Sequence, residues 1–467
     1  MQLNDLPQYD TAAIQARDAA HHLHPFTDFK SLAKTGTRVI VKADGVRIWD
    51  SEGNEIIDGM SGLWCVNMGY GRQDLVDAAT AQLKELPFYN AFFKTTTVPA
   101  TDLAELLSKV APPGFQHVAF TNSGSEGNDT IIRMVRRYWD IKGQPQRKVI
   151  ISRHNAYHGS TLGGASLGGM ASMHAQGDLP LPNITHIDQP YWLQHQQPGE
   201  SEEDFGKRAA GWLEKKILEI GPEKVAAFIG EPVQGAGGVI IPPKDYWAEI
   251  QRIVDQYGIL LISDEVICGF GRLGTWFGCM HPHINSRPDL ITFAKGVTSG
   301  YLPLGGVLVG ERVARALIDE GGEFNHGFTY SGHPVSCAVA IANIKAMQNE
   351  YIVERVATDT GPYLARVFAE LADHPLVGDP QSLGLVAGLV LYRDKARREL
   401  FPAELGLGYI CRDFCFQNGV VMRAVEERMI IAPPLIISRD DIDEMIRRIR
   451  KALDATLAYA RDHGLMG

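Results

Sequence analysis

The chain has six cysteines in 467 residues, Cys65, Cys268, Cys279, Cys337, Cys411 and Cys415, and none forms a CxxC pair. That usage reads as reduced structural thiols in a cytosolic protein. No apolar run reaches the roughly 20 residues that a membrane-spanning helix needs. Met1 to Lys30 is polar, with neither the apolar stretch of a secretion signal nor an Arg-rich amphipathic pattern. No targeting peptide is therefore expected, and the cytoplasm is the default location. Positive charge is in deficit: 45 Lys and Arg against 55 Asp and Glu give a net charge of -10. An acidic surface repels phosphate backbones, which sets nucleic acid aside as a partner. No internal repeat and no low-complexity tract is present. The run His21-His22-Leu23-His24 has no cysteine or acid cluster beside it in sequence, so it reads as a surface or interface segment and no metal is expected.

What is present is an alternation of short apolar runs with amphipathic helical stretches. Strands are expected at Arg38–Ala43 and Val46–Asp50 (a hairpin around Asp44-Gly45), His117–Thr121, Lys148–Ser152, Val225–Gly230, Ile259–Ser263, Leu290–Ala294 and Gly305–Val309. Helices are expected at Thr101–Val110, Glu126–Trp139, Phe205–Ile220, Lys244–Tyr257, Glu311–Glu320 and Pro334–Asn349. Strands that are almost wholly apolar and separated by helices predict an α/β fold, a mostly parallel sheet covered on both faces. The polar segment Asp188–Asp204 reads as a surface excursion. After Asn349 the pattern changes to a helix over Tyr351–Leu371, short strands at Leu385–Leu391 and Val420–Arg423, and a last helix at Arg439–Asp462. The chain is accordingly divided into residues 1–81, 82–349 and 350–467. The middle part is a large domain, the last a smaller α+β domain that the N-terminal segment joins.

Several strand ends carry reactive side chains. Lys295 follows the apolar run Leu290–Ala294. It either snorkels to solvent or stands in the ligand crevice, where burial makes a lysine a usable amine for Schiff-base chemistry. Asp264 ends the run Ile259–Ser263 and is either a helix N-cap or a buried acid needing a cationic partner, such as a protonated pyridine nitrogen. Val266 points to the same side and offers a surface beneath an aromatic ring. Asn122-Ser123-Gly124-Ser125-Glu126-Gly127-Asn128 is a small-residue turn before a helix, a cup for an anion without the Gly-Lys-Ser/Thr ending of a P-loop. Tyr157 is either a core tyrosine or a stacking face for a flat cofactor. Glu231, in Gly230-Glu231-Pro232, balances a nearby cation in the functional reading. Phosphate cup, aromatic, ring-nitrogen acid and amine follow one another in chain order, and no single structural role accounts for the set.

With these residues the sequence resembles the class III aminotransferases of the fold type I pyridoxal-phosphate enzymes, and within them the ω-amino acid/amine:pyruvate transaminases. The resemblance also rests on His24-Pro25-Phe26-Thr27-Asp28, Gly62-Leu63-Trp64-Cys65-Val66-Asn67, Leu86-Pro87-Phe88-Tyr89-Asn90, Asp264 through Arg272, Gly327 through Pro334, Met422-Arg423-Ala424 and Ala432-Pro433-Pro434. It implies pyridoxal 5'-phosphate as cofactor and Lys295 as its Schiff-base and proton-shuttling lysine. Asp264 holds the ring nitrogen, Gly124 and Ser125 the phosphate, and Tyr157 and Val266 the two ring faces. Thr329 reaches the phosphate from a partner subunit, which makes the protein a homodimer or a tetramer built from one. Phe26, Trp64, Phe92, Tyr157 and Phe328 shape the substrate pocket, and Arg423 pairs with the carboxylate of pyruvate. The implied reaction is ping-pong transfer of an amino group from a primary amine or ω-amino acid to pyruvate.

The sequence departs from the pattern in three places. Ile267 replaces the glutamine of ornithine and GABA aminotransferases and favours the amine:pyruvate branch. Gln381-Ser382 stands where many members have Arg-Gly. Glu426-Glu427 stands where relatives often have a Gly-Asp turn and is expected to bring two negative charges close to Arg423, either holding it away from the pocket or weakening its hold on a carboxylate. The donor stays open among polyamines, taurine, β-alanine and aromatic amines.

Overall fold

The computed structural model describes residues 9–466. Met1–Gln8, part of the N-terminal stretch read above for a targeting signal, and Gly467 lie outside the described residues. A seven-stranded sheet forms the centre, in the order Phe115–Thr121, Gly305–Gly310, Leu290–Phe293, Leu260–Asp264, Val225–Gly230, Val149–Arg153, Ile184–Ile187. Gly305–Gly310 runs antiparallel to both its neighbours, and the other six strands share one direction. Every residue of Val225–Gly230, Leu260–Asp264, Leu290–Phe293 and Gly305–Gly310 is buried. Two covered faces explain why these runs are continuously apolar rather than alternating. On one face Ile131, Val135, Tyr138 and Trp139 of the helix Gly124–Ile141 pack over Ala227, Leu260 and Ile262. On the other, the helices Glu202–Ile220 and Tyr246–Tyr257 bring Phe205, Leu213, Trp247 and Ile250 onto Ile151, Phe228 and Leu261.

The C-terminal region is α+β. Strands Val377–Leu383, Val386–Asp394, Arg428–Ile431 and Arg423–Val425 pair antiparallel in that order. The helices Leu407–Gln417 and Arg439–Asp462 belong to the same region. The last helix opens on a capping box between Ser438 and Asp441, a feature worth about 1 kcal/mol to a helix start. The N-terminal hairpin is a three-stranded meander, Ile40–Asp44, Arg47–Asp50 and Glu55–Ile57. It docks on the C-terminal region: Ile57 N donates to Gly419 O and Val421 N to Ile57 O, both at 2.9 Å. Arg47 pairs with Asp441 and Glu444 at 2.8 Å each.

Three expectations need correction. The edge strand Ile184–Ile187 is four residues with Thr185 and His186 inside it, too short and too polar to stand out. The surface stretch Asp188–Asp204 carries a short helix, Trp192–His195, and the helix expected from Phe205 already begins at Glu202. The single helix expected over Tyr351–Leu371 is broken into Ile352–Arg355, a π-turn Val356–Thr360, Gly361–Ala369 and a 3-10 turn Glu370–Asp373. Pro362 lacks the N–H that a continuous ladder needs, and the wider turn takes up the mismatch. Among the described residues no helix is long and apolar enough to cross a membrane.

Candidate active site

Strands of one direction send their carboxyl ends to one edge of the sheet, the usual place for a ligand crevice in this architecture. A cavity of about 1610 Å³ opens there. Its wall includes Phe26, Trp64, Gly124, Ser125, Tyr157, Asp264, Val266, Lys295 and Arg423. Nine residues singled out in the sequence, from Phe26 in the turn after the first described helix to Arg423 in the C-terminal strands, thus meet in one place.

Lys295 starts a 3-10 turn directly after its strand, with φ at 47°, a left-handed conformation that an L-residue adopts at a cost. It is half-buried, and burial pushes its amine below the ordinary lysine range against the pull of Cys65, Asp264 and Glu231. Asp264 is 3% exposed. Its Oδ2 accepts from His158 Nδ1 at 2.7 Å and Asn128 Nδ2 at 2.8 Å, and its Oδ1 accepts from Val266 N at 3.1 Å. It is therefore no helix cap but a fixed carboxylate on the cavity wall.

Ser123 caps the helix Gly124–Ile141, its Oγ accepting from Glu126 N. The N–H groups of Gly124 and Ser125 come before the helix's own ladder and point their positive end to the cavity edge. Gly124 is obligatory here, since a Cβ would stand 2.6 Å from Val266 Cγ2. Tyr157 stands opposite, its hydroxyl 3.0 Å from Ser160 Oγ and its ring edge-on to Phe26 at 6.3 Å. Glu231 is not on the cavity wall. Its carboxylate accepts from Tyr157 N at 3.1 Å and Gly235 N at 2.9 Å, holding the backbone that carries Tyr157, and burial raises its pKa.

Arg423 is half-buried, and its nearest acceptor is Ala236 O at 3.5 Å. Burial lowers its pKa, opposed by Tyr157, Tyr409 and Glu231. Glu426 and Glu427 line the cavity, yet neither pairs with Arg423 nor is among the charges acting on it, contrary to expectation. The turn carries them past the strand on which Arg423 sits. Gln381 lies in a strand opposite Gly388 and is not on the cavity wall.

Phe92, Phe328 and Thr329 do not line this cavity. Thr329 is exposed, and Gly327 lies against Phe92, a Cβ there meeting Phe92 Cζ at 3.3 Å. Together with Phe93 (88% exposed) and Tyr330 (56% exposed) they form a separate aromatic surface. The His21–His24 run does acquire an acid in space: Asp18 accepts from His22 Nδ1 at 3.1 Å and His24 Nε2 at 2.8 Å. Sequence reasoning also passed over Asn128, His158 and Thr292. Asn128 had a usable signal, because it lies one helical turn after Gly124 and so on the same face.

The site suits a phosphorylated, cationic aromatic aldehyde: helix N–H groups beside a glycine that a Cβ would obstruct, an aromatic face, a buried acid and a depressed amine. The class-III aminotransferase family matches residues 31–453, and the chain belongs to it. It is a fold type I enzyme whose cofactor is pyridoxal 5'-phosphate. The chain is 57% identical to a putrescine–pyruvate aminotransferase of Pseudomonas aeruginosa, over 96% of this chain and 97% of that one. Among solved structures it resembles an (S)-enantioselective ω-transaminase of Thermomicrobium roseum, with 42% identity, TM-score 0.93, and 97% and 100% of the two chains covered. It also resembles the ω-transaminase of Pseudomonas jessenii in complex with PMP, with 39% identity, TM-score 0.93, and 96% and 98% covered.

Proposed function

We propose that this enzyme transfers an amino group from a primary amine or ω-amino acid to pyruvate, giving alanine and an aldehyde or ketone, in two half-reactions that use one site in turn. The observation that carries the reading is the meeting of Lys295, Asp264 and Arg423, a cation that has no ion-pair partner among the described residues, in one cavity. The similarity to a putrescine–pyruvate aminotransferase supports pyruvate as acceptor and puts diamines among the donors.

Pyridoxal phosphate, when bound, supplies an aldehyde that takes up the amino group and a cationic ring that accepts the electron pair released at the substrate carbon. The protein does the rest. Lys295, whose amine burial pushes below the ordinary lysine range, takes the proton from the donor's α-carbon and delivers it again from the same amine. Asp264 keeps the ring nitrogen protonated by offering it a buried negative charge. Gly124 and Ser125 hold the phosphate, with Tyr157 and Val266 as the flanking surfaces and Glu231 fixing the backbone of Tyr157. Phe26 and Trp64 close the donor pocket with apolar surface. Arg423, whose guanidinium makes only a long 3.5 Å hydrogen bond to Ala236 O among the described residues, binds the carboxylate of pyruvate.

The exposed surface of Phe92, Phe328 and Thr329 belongs to a homodimer in this reading, one protomer lending these residues to the cavity of its partner, and a tetramer is a pair of such dimers. The division at residues 81 and 349 sets the cofactor-binding part against the N- and C-terminal segments that dock on each other, its first boundary falling within the helix Gln73–Glu85. A cytoplasmic setting suits the six free cysteines. Lys295→Ala tests the reading. Turnover with 1-phenylethylamine or putrescine and pyruvate should fall by about three orders of magnitude or more, the scale of losing a positioned acid–base group, while cofactor still binds. Half-reaction rates within tenfold of wild type in that variant would refute the assignment.

A further inference from the structure

Asp264 is one end of a buried chain of hydrogen bonds. Asn128 Nδ2 spends one hydrogen on Asp264 Oδ2 at 2.8 Å and the other on His158 O at 2.7 Å. Asn128 Oδ1 accepts from Thr292 Oγ1 at 2.8 Å. Asn128 and Thr292 are fully buried. Strand register sets Thr292 directly opposite Asp264, and Gly127 lets the helix settle on that strand, since a Cβ at 127 would stand 2.8 Å from Thr292 Cγ2.

The orientation of the Asn128 amide follows from its partners. Turned over, its oxygen would face two acceptors, Asp264 Oδ2 and His158 O, with no hydrogen between them. The Thr292 hydroxyl, able to donate or accept, donates to Oδ1 in that orientation and ties the amide to the strand. In that orientation Asp264 Oδ2 has two protein donors, whereas Oδ1 has one backbone donor and a lone pair to spare. The carboxylate is thereby held in one orientation.

We propose that Thr292 and Asn128 are positioning residues that act through Asp264, presenting its Oδ1 to the cofactor's ring nitrogen. The inference rests on the reading of Asp264 given above. Nothing in it requires Thr292 to touch cofactor or substrate; the hydroxyl matters only through the amide it orients.

The test compares Thr292→Val, which keeps the shape and removes the hydroxyl, with Thr292→Ser, which keeps the hydroxyl. Asp264→Asn serves as reference. Two quantities are read on purified protein: the dissociation constant for pyridoxal phosphate, and the pH midpoint of the visible band of the bound cofactor. Thr292→Val should raise the dissociation constant by about tenfold, the scale of losing a buried supporting hydrogen bond, and move the midpoint in the same direction as Asp264→Asn. Thr292→Ser should stay within about twofold of wild type on both. If Thr292→Val fails to fold, Asn128→Leu replaces it: it withdraws the amide donor from Asp264 Oδ2 and should raise the dissociation constant and move the midpoint in the direction of Asp264→Asn. The proposal is overturned if the hydroxyl-free variant matches wild type while Asp264→Asn does not. It is overturned too if the serine and valine variants change equally, which would assign the effect to packing. If Asp264→Asn leaves both readings unchanged, the reading of Asp264 itself fails, and this proposal with it.

Discussion

The amine of Lys295 and the guanidinium of Arg423 are both pushed by burial toward neutrality, with opposite practical results. A lysine loses its proton readily, so at neutral pH a larger fraction of Lys295 is neutral than of a surface lysine, and that fraction grows as pH rises. An arginine keeps its charge under the same pressure and becomes a poorly solvated cation that gains by pairing with a carboxylate. Arg423→Ala should therefore separate the two half-reactions. The pyruvate half-reaction should lose about 2–4 kcal/mol, or roughly 30- to 1,000-fold, as when a buried charge-assisted pair is removed, while 1-phenylethylamine, which has no carboxylate, should change less than about fivefold. Equal losses, measured as kcat/KM for each half-reaction, would show that Arg423 is not the carboxylate clamp.

Among the secondary-structure elements, the seating of the helix Gly124–Ile141 is the most demanding feature of the site. Its first turn presents N–H groups to the cavity only because Gly124 clears Val266 and Gly127 clears Thr292. Gly124→Ala inserts a methyl group into a 2.6 Å gap. Overpacking of this kind costs about 1–3 kcal/mol, and here the cost falls on the cofactor cup, so affinity for pyridoxal phosphate should drop about tenfold or more. Unchanged affinity by fluorescence titration would mean that the cup lies elsewhere. The same elements explain what the sequence could and could not disclose. Val225–Gly230 and Leu290–Phe293 are buried on both faces and read as strands at once, and Lys295 and Asp264 were legible because each directly follows such a run. Ile184–Ile187, at the sheet edge, carries half-polar side chains and has no such signature. Asn128 and Thr292 looked like ordinary polar residues of a helix and a strand, because their role depends on a hydrogen-bond chain closed only by the sheet register. Pro362 was visible, but its π-turn was not, since a helix pattern continues on either side.

For the whole molecule, the cavity and the aromatic surface around Phe92, Phe328 and Thr329 are separate in one chain, and dimerisation would join them. If Thr329 serves the partner's site, two variant chains can complement each other. A hybrid of a Lys295→Ala chain with a Thr329→Ala chain contains one site with both residues intact. It should bind cofactor in that site with wild-type affinity, about half a cofactor per chain, whereas Thr329→Ala homodimers bind it about ten- to a hundredfold more weakly, the loss of one hydrogen bond to a charged group. Hybrids that bind no better than Thr329→Ala homodimers would place Thr329 in the site of its own chain or in none.

The central claim, that one site alternately takes an amino group from an amine and gives it to pyruvate, is tested most directly by following the visible band of the pyridoxal-phosphate-loaded protein. Putrescine, 1-phenylethylamine, taurine and β-alanine are added singly, and pyruvate afterwards. The account predicts that the band disappears with at least one donor and returns on addition of pyruvate, with alanine formed in equal amount. A band that ignores every amine, or one that is lost and not restored by pyruvate, would contradict it.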